Sequence, residues 1–85
     1  MKTVYKYKIE KKNRQTIEMP SRSQILCLQL QGGCPYIWVA VEPIGSSVNK
    51  TFDTYVTGEA LPDYPGVYIG TYQIDELVYH VFERF

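Results

Sequence analysis

Eighty-five residues, 45% of them apolar, with nine basic and nine acidic side chains, describe one small globular domain spanning 1–85, which buries roughly 60 to 70% of its unfolded surface. The zero net charge supplies no field to draw in nucleic acid or an acidic membrane, so neither direct DNA or RNA binding nor membrane association is expected. No run of about 18 apolar residues exists, so no membrane span is expected either. Charge is nevertheless unevenly spread. Seven basic residues and two acidic ones lie between Lys2 and Arg22, whereas acids dominate from Glu42 to Glu83. Such a division allows contacts between opposite patches of two copies, or an anion site near the N-terminal third. Met1 leads directly into the amphipathic KTVYKYKIE with no signal peptide, so a cytoplasmic protein with Cys27 and Cys34 reduced is expected.

In chain order, Thr3 to Ile9 alternates, with Thr3, Tyr5, Tyr7 and Ile9 on one face and Val4, Lys6 and Lys8 on the other, the period of a half-buried strand. KKNR (Lys11 to Arg14) is a polar turn, and QTIEM (Gln15 to Met19) is a short returning strand that would complete a hairpin. Pro20 to Ser23 forms the next turn. In QILCLQLQ (Gln24 to Gln31), Leu26, Leu28 and Leu30 share a face. Gly32-Gly33-Cys34-Pro35 turns the chain, and the cysteines could bridge only if that turn lays strand on strand. YIWVAVE (Tyr36 to Glu42) is apolar on both faces. Its β-branched and aromatic content marks a central strand with Trp38 in the core. Pro43 to Asn49 is a loop. Lys50 to Thr57 is a strand with Phe52, Thr54 and Val56 opposite Asp53 and Tyr55. Leu77 to Arg84 alternates Leu77, Tyr79, Val81 and Glu83 against Val78, His80, Phe82 and Arg84, and pairs with Val67 to Ile74 through a turn at Asp75-Glu76. About seven short strands predict an all-β fold, a small antiparallel sandwich or open barrel. A single helical turn is allowed only near Glu59.

The stretch TGEALPDYPGVYIGTYQ (Thr57 to Gln73) organises the chain. Pro62 and Pro65 remove backbone donors and stop both sheet and helix. Gly58 and Gly66 suit turns of positive φ. Gly70 interrupts a strand and predicts a bulge or a close backbone approach.

Catalytic chemistry finds little support. His80 is the only histidine and falls in a strand. Cys27, Cys34 and His80 lack metal-ligand spacing, and no phosphate-cradling lysine loop occurs. The chain reads as a non-enzyme with no cofactor and no metal. Binding is better supported. Twelve aromatic residues, eight of them tyrosine, exceed the needs of a small core. Tyrosine suits interfaces and stacking on nucleobases. Tyr64, Tyr68 and Tyr72 lie on or beside the loop, with Tyr68 and Tyr72 on one strand face. The structural alternative is that alternating tyrosines simply bury themselves on a pleated surface.

The opening MKTVYKY, the central YIWVAVEP, the T-G-x-x-L-P-D-x-P-G-x-Y-I-G-T-Y-Q stretch and the closing HVFE resemble a family of short phage and prophage proteins of unknown function. The resemblance covers nearly the whole chain, through Thr57, Gly58, Pro62, Pro65, Gly66, Tyr68, Ile69, Gly70, Thr71 and His80. Cys27 and Cys34 lie outside the pattern. A phage context implies an accessory factor, acting in the cytoplasm of an infected bacterium, that binds a host component. The expected ligand is a small nucleotide immune signal held by a homo-oligomer. Tyr64, Tyr68 and Tyr72 would stack on the base, His80 and Arg84 would meet phosphate, and the Gly66 and Gly70 backbone would approach the ligand closely. The alternatives are a host defence protein as partner, such as a CRISPR nuclease, and a virion structural or assembly role.

Overall fold

Where branched and aromatic side chains alternate with polar ones, the chain forms strands, and it forms nothing else. The computed structural model describes residues 1–85. Its elements are β1 (Thr3–Lys8), β2 (Arg14–Pro20), β3 (Ser23–Gln31), β4 (Cys34–Val41), β5 (Ser47–Val56), β6 (Val67–Ile74) and β7 (Leu77–Arg84). They make two antiparallel sheets, a three-stranded one in the order β1-β4-β3 and a four-stranded one in the order β2-β5-β7-β6. The molecule measures 41 × 31 × 16 Å, and the shortest extent matches two stacked sheets about 10 Å apart. The all-β sandwich is as the alternation predicts, with β4 central in its sheet. Glu59 sits in a turn rather than a helical turn.

The core lies between the sheets. Leu28, Ile37, Val39 and Val41 come from the smaller sheet and Met19, Phe52, Tyr72 and Val81 from the larger, with Ile9 entering from the β1–β2 connection. Lys50 and Glu83 meet at its rim, 3.7 Å apart. Along one side β3 runs beside β6. That contact depends on Gly70, where an added Cβ would stand 2.8 Å from Cβ of Leu28.

Several expectations are corrected. β1 and β2 form no hairpin: β1 pairs with β4 and β2 with β5, so the KKNR segment crosses from one sheet to the other. The intervening Ile9 is buried, which makes this crossing a core element rather than a hairpin tip. Leu26, Leu28 and Leu30 do not share a buried face. A bulge between Ile25 and Cys27 shifts the register. It turns Ile25 and Leu28 toward the core and leaves Leu26 exposed, while Leu30, on the same side as Leu28 and opposite Pro35, is exposed near the end of the strand. Trp38 is not in the core. It alternates with Ile37 and Val39 and lies on the outer face, edge-on to Tyr36 at 6.0 Å. The Gly32-Gly33 turn does lay β4 on β3, but Cys34 pairs with Gln31 and Cys27 with Trp38. Four positions of strand separate the two sulfurs by about 13 Å, and both thiols are free.

Candidate functional site

The outer face of the four-stranded sheet gathers side chains from distant parts of the sequence, because its ladder aligns β2, β5, β7 and β6. One row across the strands runs Arg14, Asp53, Phe82, Tyr68, and the next runs Tyr55, His80, Thr71. Arg84 follows on β7 opposite Thr51.

Phe82 is the centre. The Tyr55 ring meets it edge-on at 5.9 Å and the Tyr68 ring at 5.6 Å, a favourable arrangement of ring edge on ring face. On one side of this trio, His80 is hydrogen-bonded through Nε2 to Thr57 Oγ1 at 2.7 Å and through Nδ1 to Thr71 Oγ1 at 3.1 Å. Thr71 Oγ1 is also bonded to the Tyr68 hydroxyl. Both ring nitrogens of His80 are therefore held by hydroxyls. Each hydroxyl donates or accepts as required, so the ring is fixed in place whichever nitrogen carries the proton.

On the other side, Arg14 donates from Nε to Asp53 Oδ1 at 2.7 Å and from Nη2 to Oδ2 at 3.1 Å. The Asp53 carboxylate is only 3% exposed. The hydrogen bond from Arg14 holds it below the usual carboxylate range against the opposing effect of burial, with further help from the charges of Arg14 and Arg84. Arg84 Nη1 stands farther off, 3.6 Å from Asp53 Oδ2. Arg14 is thus committed to Asp53 in a two-pronged pair, while the half-exposed Arg84 keeps donors for another acceptor.

Two adjoining depressions of about 300 Å³ each open beside these residues. One is lined by Tyr55, Thr57, Leu61, His80 and Phe82, and the other by Asn13, Arg14, Asp53 and Tyr55. Glu59 borders both, yet its carboxylate accepts from the Val56 N–H at 2.9 Å and closes the turn that starts the loop. No group of three histidine, cysteine or carboxylate side chains is placed to hold a metal.

Of the residues singled out from sequence, Tyr68, His80 and Arg84 come together on this face. Tyr64 stays on the loop, almost wholly exposed at 92%. Tyr72 is turned away. A bulge between Tyr68 and Gly70 reverses the alternation of β6. Tyr72 is therefore buried in the core, stacked on Tyr79 at 4.9 Å, where it meets no ligand. The close approaches of Gly66 and Gly70 are also internal. Gly66, at φ 105°, leaves no room for a Cβ beside the Glu83 carbonyl, and Gly70 makes room for Leu28. Sequence reasoning passed over Phe82, Tyr55, Arg14 and Asp53 as site residues. The alternation of β5 and β7 already put Asp53, Tyr55 and Phe82 on outward positions, but nothing in it said that β5 and β7 are neighbours.

A family model described as a domain of unknown function (DUF7352) matches residues 1–85. No curated protein matches the chain, and no solved structure does.

Proposed function

We propose that this chain, which belongs to the DUF7352 family of domains of unknown function, is a non-enzymatic binding protein that captures a small nucleotide on the outer face of its four-stranded sheet. The observation that carries this reading is the aromatic trio Tyr55, Phe82 and Tyr68, set between the hydroxyl-held His80 and the half-committed Arg84. A base stacks on an aromatic platform with a gain of about 1–3 kcal/mol. A phosphate beside it takes charge-assisted hydrogen bonds from a guanidinium. The phage resemblance supplies the biological setting: a counter-defence factor that sequesters a nucleotide immune signal in the cytoplasm of an infected bacterium. The depressions are open on the single chain, so a second copy covering them completes the pocket, in a homo-oligomer.

Calorimetry of the purified protein against cyclic and ADP-ribose-type nucleotides tests this. Saturable heat is expected with at least one of them, weakened about tenfold by Arg84→Ala, the loss of one charge-assisted contact. No heat across the panel overturns the proposal.

A second reading is favoured by one feature. Leu61, Tyr64 and Val67 are all at least half exposed near Tyr68, and a patch of this kind suits a protein partner. On that reading the chain inhibits a host immune effector, and one host protein co-purifies with the tagged chain. Loss of that partner on Tyr64→Ala would locate the contact.

A further inference from the structure

The smaller sheet has an outer face of different character, which the nucleotide reading does not use. Its ladder sets the residues in rows: Lys8, Tyr36, Gln29; then Lys6, Trp38, Cys27; then Val4, Ala40, Gln24. Two successive rows therefore begin with a cation and carry an aromatic ring at the centre. Tyr36 and Trp38 lie edge-on at 6.0 Å. The Lys6 ammonium sits 4.6 Å from the Tyr36 ring centroid and donates to Gln31 Oε1 at 2.8 Å. Beyond the last row, Lys2 and Arg22 line a depression of about 370 Å³ together with Ser23, Gln24, Ala40 and Glu42. Glu42 is the only acid lining that depression, and the amino group of Met1 pairs with it.

The chain's zero net charge thus hides a separation by face. Lys2, Lys6, Lys8 and Arg22 share this surface with one acid, Glu42, while the strand rows of the face carry none. From the Tyr36 row to Glu42 the face extends about 20 Å along the strands, the reach of about three nucleotides of an extended strand.

We propose that the outer face of the β1-β4-β3 sheet binds single-stranded nucleic acid, with Tyr36 and Trp38 as the stacking platform and Lys2, Lys6, Lys8 and Arg22 against the phosphates. The charge complementarity selects a polyanion. The half-buried rings of Tyr36 and Trp38 at the centre of a pleated face select one whose bases are free to stack, and a duplex keeps its bases paired inside. Glutamines at positions 24, 29 and 31 offer donors and acceptors to sugar and base without demanding one sequence. The site is independent of Tyr68, His80 and Arg84 on the opposite side of the sandwich.

The chain carries one tryptophan, so Trp38 emission reports directly on this face. An oligothymidylate of about 12 nucleotides is titrated into the protein at about 50 mM salt. Saturable quenching is expected, weaker for the same length of duplex. Four phosphate contacts on a single strand give a slope of log affinity against log salt of about −3, a loss of about 50-fold between 50 and 200 mM. The double variant Lys6→Glu, Lys8→Glu leaves both rings in place, and it is expected to lose binding while keeping the thermal midpoint. Arg84→Ala is expected to bind the oligonucleotide as the unaltered chain does. Unchanged emission and unchanged anisotropy of a labelled oligonucleotide at low salt overturn the proposal. Binding that survives the double variant but fails with Arg84→Ala overturns it as well, by assigning the strand to the other sheet.

Discussion

Asp53 is a charge taken out of water and returned to balance by two arginines, and its energetics set a pH dependence. Its carboxyl is held below the usual range chiefly by the hydrogen bond from Arg14, so the folded chain takes up this proton less readily than the unfolded one. The resulting stabilisation is full above the unfolded value near about 4 and is lost as pH falls through the lower folded value. Asp53→Asn is expected to lose about 2 kcal/mol at neutral pH by urea unfolding, less than a fully buried pair because both arginines are half exposed. As pH falls from about 4 through the lower folded value, the variant and the parent should converge. A gap that persists unchanged into acid would assign the loss to packing instead. Tyr72 shows the opposite economy. Burial pushes its hydroxyl up to about 12, and the buried oxygen has no partner. Removing an unsatisfied buried polar group relieves a desolvation penalty. Tyr72→Phe is therefore expected to match or exceed the parent's stability, by up to about 1 kcal/mol. A clear loss would mean that the hydroxyl is bonded.

Elements were legible in the sequence wherever the period of two ran unbroken, and illegible where a single residue was inserted. β5 and β7 alternate without interruption, and their faces are as the sequence predicts; β4 alternates as regularly, but with one face in the core and the other outward. β3 and β6 each carry a bulge, and in both the facing of the residues beyond it is reversed. Gly70 announced the bulge in β6, yet which side Tyr72 would take depends on the partner strand, and pairing partners are set by contacts distant in sequence. The same reason hid the candidate site: Arg14, Asp53, Phe82 and Tyr68 form one row only because β2, β5, β7 and β6 are adjacent. Trp38 was misplaced for another cause. A strand apolar on both faces suggests burial on both, whereas only the side of β4 that carries Ile37, Val39 and Val41 enters the core, and the side that carries Tyr36 and Trp38 faces outward. Gly70 gives the sharpest test at this scale. Gly70→Ala places a methyl 2.8 Å from Leu28 Cβ, backbone-anchored on each side, and is expected to cost about 1–3 kcal/mol as β3 and β6 are forced apart. An unchanged thermal midpoint would show that this seam is loose.

For the whole molecule, thirteen of 85 residues are buried, a thin core for two sheets, and such domains often gain stability by association. One side of the sandwich is sealed where β3 meets β6, while β1 and β2 end their sheets with free edges. Cover from a second copy would serve both the stability of the fold and the open depressions beside Phe82. Stability that rises with protein concentration is the expected sign, and a concentration-independent midpoint would favour the monomer.

Capture of a small nucleotide is the central claim, and native mass spectrometry after incubation with the nucleotide panel, followed by denaturing release, tests it most directly. The account predicts an oligomer carrying a compound of nucleotide mass in stoichiometric amount, with reduced occupancy in the Arg84→Ala protein. An empty species, whatever its subunit count, would contradict it and move the function to a protein partner.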